Sequence, residues 1–478
     1  MSYTPKTTCR LCGVEKLTQV GSLPPTPPAN ALQKTAQAAR DLECYPLDLL
    51  LCTSCKHLQL GGVVPPEQLF GDYKYVTGTM KSFVKHFDDY ADALVKTFNL
   101  QARRKDPGDP DNDYPGDLVV EFGSNDGSML KRFKEKHGLH VLGVEPATAI
   151  AAKANEDGIP TVNGFFSHKF NLVSSWCDYR GKQPAGIDLT RCYARGCNRI
   201  FSTIDYGRDR CPKCDSEVTP AGVKARLVIA NNVMAHIDDL AGCASAIQEI
   251  LHPTHGVFVF EVSYLGDVLE KGLWDTSYHE HLDMHSVWPL KQFFEKHGLF
   301  LFDVQRVPTH GGSIRCFVRI GGSSFKTVWD LIDSEKATGK GKVSTYVEAI
   351  ENFKTALTKL KASIDDQKTA MLNGGSSYQL VAYGAAAKTV TLLATAGLTT
   401  TDIDYIVDDS PFKQGLFLPG SGIPIVGFEK LLETKPNFVL ITAWNYSSAI
   451  VDKIKVAFLE KGLIPPKCII PLPELTVV

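Results

Sequence analysis

The chain has 478 residues, 44% of them apolar and 22% charged, with a formal net charge of −2. That length holds several domains with full hydrophobic cores, and the composition excludes a disordered chain or a global field that draws in nucleic acid. The amino terminus (Met1 to Arg10) is polar without the apolar core of a signal peptide, and no run approaches the ~18 apolar residues of a membrane span, so a cytoplasmic location is expected.

Taken in chain order, residues 1–75 read as a small, loop-rich zinc-binding module, extended through Leu23 to Ala29 and in need of its metal as a staple. Cys9-Arg-Leu-Cys12 and Cys52-Thr-Ser-Cys55 are two C-x2-C turns with 39 residues between them. Two such turns place four thiolates around one Zn2+ at about 2.3 Å and leave no position open for water, so the metal is structural. The competing reading is a set of unrelated buried or redox cysteines. Eight of the thirteen cysteines fall in such clusters, which fits a reducing compartment.

Residues 76–323 follow as a cofactor-binding unit. A helix is expected from Met80 to Leu100, with Phe83, Phe87, Tyr90, Leu94 and Phe98 on one face, then a polar loop over 103–115. From Leu118 strands and helices alternate: strands at 118–122, 141–145, 161–162, 226–232 and 256–263, and helices at 128–137, 147–156 and 240–251. Alternation of this kind predicts a doubly wound parallel sheet of the α/β class. An insertion at about 175–225 interrupts it, carrying Cys192, Cys197, Cys211 and Cys214 in a ribbon that predicts a second zinc site. Its arginines read as a solvated surface rather than a nucleic-acid contact. Residues 324–375 form a helical connector, and 376–478 a second Rossmann-like α/β unit that opens with the strand Gln379-Leu-Val-Ala-Tyr383.

Two stretches carry the chemistry. Val119 to Ser128 (V-V-E-F-G-S-N-D-G-S) is a strand running into a glycine-bearing turn, where ligands of doubly wound sheets bind. The spacing is not G-x-G-x-x-G. The polar residues Glu121, Gly123, Ser124, Asn125, Asp126 and Gly127 suit a cofactor bearing an amino acid group, as S-adenosylmethionine does. Glu145 ends the second strand, where an acid accepts ribose hydroxyls, and Asn231 and Asn232 end the fourth. The other stretch, W-D-T-S-Y-H-E-H-L (Trp274 to Leu282), packs a phenol, a carboxylate and two imidazoles into four positions. A proton-moving cluster downstream of a cofactor turn points to an enzyme.

These motifs, with N-N-V-M-A-H (231–236), H-G-G-S-I-R (310–315) and A-Y-G-A-A-A-K (382–388), occur in the order in which they stand in sugar C-methyltransferases, and the chain resembles that family over nearly its whole length. The resemblance implies an amino-terminal four-cysteine zinc module, a central class I methyltransferase domain and a carboxy-terminal Rossmann-like domain. It also implies methylation at C3 of a nucleoside-diphosphate 4-keto-deoxysugar through an enolate. His281 is then the base, since a neutral imidazole suits proton transfer. Tyr278 donates to the enolate, Glu280 orients the sugar or an imidazole, and His236 approaches the same pocket. Tyr73, Tyr75, Arg315, Lys388 and Trp444 are candidate sugar-nucleotide contacts. The ribbon at 175–225 departs from the family pattern. Alternatives are an O- or N-methyltransferase, or a zinc-ribbon nucleic-acid-binding protein with a degenerate methyltransferase fold. A monomer or homodimer is expected.

Overall fold

The computed structural model describes residues 3–70, 81–102, 116–170, 172 and 224–478, with short strands at 104–105, 113–114, 189–191 and 200–202. Tyr73 and Tyr75, and Cys192, Cys197, Cys211 and Cys214 of the expected second zinc site, lie outside the described residues.

The amino-terminal module is richer in regular structure than its composition suggests. Strands β1 (Leu17–Thr26), β2 (Tyr45–Cys52) and β3 (Leu58–Leu60) form an antiparallel sheet. Along β2, Tyr45, Leu47, Leu49 and Leu51 are buried at every second position, so one face of the sheet turns inward. Pro24 and Pro25 fit within β1 because it is the edge strand and its register shifts between Leu23 and Thr26, where no ladder N–H is needed.

Helix α1 (Lys81–Phe98) buries Phe87, Tyr90 and Leu94 against the central sheet. The sheet contains β4 (Leu118–Phe122), β5 (His140–Glu145), β6 (Thr161–Asn163), β7 (Leu227–Asn231) and β8 (Val257–Ser263), all parallel. The chain then contributes β9 (Asp283–Met284) to the amino-terminal sheet, antiparallel to β3. It returns through β10 (Leu299–Val307) and β11 (Ser313–Ile320), an antiparallel hairpin absent from the sequence reading, which completes the order β6-β5-β4-β7-β8-β11-β10. Every residue of β4 is buried, as expected for a central parallel strand covered on both faces.

The connector resolves into two helices, Lys326–Ala337 and α2 (Val343–Asn373). A second sheet follows: β12 (Leu380–Tyr383), helix α3 (Ala387–Ala396), β13 (Ile406–Val407), β14 (Ile425–Val426), β15 (Phe438–Ile441), β16 (Lys467–Ile470) and the antiparallel edge β17 (Thr476–Val477). Its order is β14-β13-β12-β15-β16-β17. The amino-terminal sheet has no core to itself. Leu47, Leu49 and Leu58 share one cluster with Trp274, Ile350, Leu357 and Leu393.

Both large sheets reverse strand order beside their first strand, between β4 and β7 and between β12 and β15. Such switch points open a crevice at the carboxyl ends of the strands. Among the described residues no helix is long and apolar enough to cross a membrane.

Candidate active site

The two crevices open into one cavity of about 1000 Å3, lined by residues from all three sheets. On the central side β4 ends in Gly123, whose φ is +64° and whose added Cβ would lie 2.3 Å from Val233. Gly127 (φ +74°) is pressed equally close to Ile159 and starts the helix Ser128–Glu135. Asn125 and Asn232, after β4 and β7, take left-handed φ of +50° and +57°, which asparagine tolerates better than most residues. Both line the cavity with Gly123, Glu145 and Asn231. Glu145 accepts N–H groups from Asn125 (2.9 Å) and Ala147 (2.8 Å), so it braces the turn, and burial raises its carboxyl above the usual range. Asn231 donates to Glu121 at 3.2 Å, and its Oδ1 is buried without a partner among the described residues. Burial pushes Glu121 up to about 8, against the pull of that hydrogen bond. A crevice ending in peptide N–H groups, an unpartnered amide oxygen and a braced acid fits the amino acid and ribose groups of S-adenosylmethionine. Glu121, Ser124, Asp126 and Gly127 stand behind the lining, where Asp126 accepts from Ser128 N (3.2 Å) and Ser128 Oγ (2.6 Å).

Across the cavity stands the Y-H-E-H stretch. The Nδ1 of His281 lies 2.8 Å from the carbonyl oxygen of Thr276, which can only accept, so Nδ1 carries the hydrogen. Nε2 is then a lone pair, and the Tyr278 hydroxyl, 2.8 Å away, donates to it. Burial lowers His281 to about 4, keeping it neutral and basic. His236 stacks on His281 at 5.2 Å between ring centroids, with its own Nε2 buried and unpartnered among the described residues. Desolvation, followed by the neighbouring His281, pushes His236 well below its ordinary value. Glu280 does not orient an imidazole through any described contact. Asn30 of the amino-terminal module donates to both its carboxylate oxygens, at 2.8 and 2.9 Å, and burial raises Glu280 to about 7.

The module grips this stretch on both sides. His279 meets the carbonyl oxygen of Tyr45 at 3.2 Å, Leu60 N donates to Leu282 O at 2.8 Å, and His57 Nε2 lies 2.6 Å from Asp283. Its four cysteines place their sulfurs within 4.8 Å of one another, with Cys9 to Cys55 at 3.5 Å and Cys12 to Cys52 at 3.6 Å. A tetrahedral Zn2+ with Zn–S near 2.3 Å needs sulfur edges of about 3.8 Å, so the quartet fits the metal.

The carboxy-terminal side contributes Gly384, Lys388, Asp408, Lys413 and Lys453 to the lining. Two expected substrate contacts are placed differently. Arg315 sits directly across the strand pair from Glu261, bonds to it at 2.7 Å, lies 3.4 Å over the Tyr90 ring and does not line the cavity. Trp444 is buried behind the lining and donates to Asp275 Oδ2 at 2.6 Å. Sequence reasoning did not single out Asn30, Asp275 or His310. Asp275 stands inside the quoted motif, His310 opens H-G-G, and nothing local marks Asn30.

A cofactor crevice of this topology beside a buried proton-moving cluster defines a methyltransferase dependent on S-adenosylmethionine. The matching family models are a zinc binding domain over residues 9–70, a methyltransferase domain over 86–302 and a C-methyltransferase C-terminal domain over 308–473. The chain is 31% identical over 469 residues to C-methyltransferase NovU of Streptomyces niveus, covering 98% of this chain and 95% of that one. The chain belongs to the C-methyltransferase family. Among solved structures, an S-adenosylmethionine-dependent methyltransferase from Clostridium acetobutylicum aligns with 50% of this chain and 92% of its own at 11% identity and TM-score 0.31. Magnesium protoporphyrin IX methyltransferase from Synechocystis, with bound SAH, aligns with 49% and 83% at 12% identity and TM-score 0.30. Both are too distant to carry an argument.

Proposed function

We propose that the protein methylates C3 of a nucleoside-diphosphate 4-keto-deoxysugar through an enolate, with His281 as the base. The observation that carries this reading is the fixed tautomer of His281: Thr276 O holds Nδ1–H, and Nε2 presents its lone pair inside the cavity that the cofactor turn also lines. A carbon next to a ketone loses its proton to such a base when the growing oxyanion is stabilised. Tyr278 reaches the carbonyl oxygen by releasing Nε2, so one rotation supplies a donor and exposes the base. His236, stacked against the base with an unpartnered nitrogen, and Glu280, held by Asn30, are placed to bind sugar hydroxyls. S-adenosylmethionine, when bound, supplies an electrophilic sulfonium methyl group. Glu145, Asn125, Asn231 and Asn232 would hold it.

A nucleotide sugar is supported by the second switch point. There Gly384 (φ +106°) permits close approach of a ligand to the strand end, and α3 starts beside the cavity. The test is incubation with dTDP-, GDP- and CDP-linked 4-keto-6-deoxy sugars in deuterated water, with and without S-adenosylmethionine. Deuterium entering C3, and a new C–CH3 group there when the cofactor is present, are expected. Methyl transfer to oxygen or nitrogen with no carbon exchange would overturn the reading.

A further inference from the structure

The sequence suggests Lys388 as a contact to the sugar nucleotide; its surroundings give it a narrower task. Lys388 stands on the first turn of α3 and lines the cavity with Tyr278, His281 and His310. Three independent contacts tie that end of α3 to the catalytic stretch. The Lys388 ammonium lies 3.6 Å from the centroid of the Trp444 ring, and Trp444 Nε1 donates to Asp275. Asp275 is itself buried and within electrostatic reach of Lys388. Thr391, one turn along the same helix face, donates its hydroxyl to the carbonyl oxygen of Ser277 at 3.0 Å, immediately before Tyr278. Lys388 therefore faces the Y-H-E-H stretch. One of its three N–H groups goes to Asn445 Oδ1, and the charge also acts on His310, which in turn feels His281.

We infer that Lys388 is a catalytic residue that donates a hydrogen bond to the carbonyl oxygen of the substrate as the enolate forms, an assignment that rests on the function proposed above. In this step the C3–H bond breaks and its proton goes to His281 Nε2. The bonding pair becomes the C3–C4 double bond, and the carbonyl π pair moves onto oxygen, where the ammonium stabilises it without giving up a proton. Two features favour the carbonyl over the diphosphate. The single hydroxyl proton of Tyr278 is engaged on His281, so at rest a second donor must meet the oxygen. A diphosphate at this point would bring fixed negative charge toward the buried Asp275 carboxyl. Lys413 and Lys453 line the same cavity away from Asp275, in ion pairs with Asp408 and Asp409. An enolate develops one charge, and only as the barrier is crossed, which is where a preorganised cation lowers the barrier most.

The test is Lys388→Met, which keeps the side-chain volume, alongside Lys388→Arg. Each is assayed for C3 deuterium exchange with S-adenosylhomocysteine present, using the panel sugar that wild type exchanges fastest. Binding of the matching nucleoside diphosphate without its sugar is measured by calorimetry. Lys388→Met is expected to lose about 100-fold or more of exchange at saturation, Lys388→Arg to recover part of it, and both to bind the nucleoside diphosphate as wild type does. Wild-type exchange at saturation in Lys388→Met, or a tenfold loss of nucleoside diphosphate affinity with saturated exchange unchanged, would overturn the assignment and leave the proposed function standing. Wild type that exchanges no sugar of the panel would overturn both.

Discussion

The central and carboxy-terminal sheets share one architecture, a parallel sheet that reverses order beside its first strand, and they turn their crevices to the same cavity. Their chemistry differs entirely. The central crevice ends in two left-handed asparagines and a braced glutamate, a surface of donors and acceptors suited to a zwitterion and a ribose. The second ends in Lys388 and two lysine–aspartate pairs, a surface suited to anions. The same backbone solution thus positions two unlike ligands, and the identity lies in the residues that follow each strand.

Two glycine substitutions should separate the crevices. Gly123→Val puts side-chain atoms into Val233 at a φ of +64°. At ~1–3 kcal/mol of strain and lost cradle, calorimetry should read a 10- to 100-fold loss of S-adenosylmethionine affinity, with nucleoside diphosphate binding unchanged. Gly384→Val meets Ala443 Cβ at 2.4 Å and its N at 2.9 Å, and should give the converse pattern. Loss of both ligands in either variant, with the melting temperature kept, would mean that the crevices are not separable.

The amino-terminal module makes a smaller, sharper prediction. Asn30→Ala removes both donors to Glu280, so the carboxyl rises further from about 7. With two neutral-to-charged hydrogen bonds lost at ~1.5–3 kcal/mol each, kcat should fall about tenfold or more at pH 7, more steeply than S-adenosylmethionine affinity. An unchanged kcat would remove Glu280 from the catalytic account.

The smallest effect is on stability. His279, His281 and His310 are each lowered to about 4, with burial the leading cause. Unfolded, they titrate near ~6.5. Groups depressed on folding contribute stability that is complete above the unfolded value and lost as pH falls toward the folded one. The melting temperature should therefore decline between about pH 6.5 and pH 4. A melting temperature flat over that window would contradict the burial of these rings.

Local signals were legible in the sequence. The cysteine quartet shows in its spacing because ligand turns are short, and the strand–turn–helix of 118–135 shows in its periodicity. What needs distant partners did not show. Asn30 and Glu280 are 250 residues apart, and Trp444 reaches Asp275 across 169. Arg315 looked like a free cation because its neutraliser, Glu261, is its neighbour only through strand register. The amino-terminal sheet was read as loop because its proline-bearing edge strand is tolerated by a bulge that composition does not reveal.

The most direct test is C3 exchange by His281→Asn, an isostere whose side-chain amide can still donate to Thr276 O but has no basic nitrogen. In deuterated water with S-adenosylhomocysteine and the cognate 4-keto sugar, exchange should fall by ~100- to 10,000-fold while both ligands bind as in wild type. Exchange at the wild-type rate would contradict the assignment of His281 as the base.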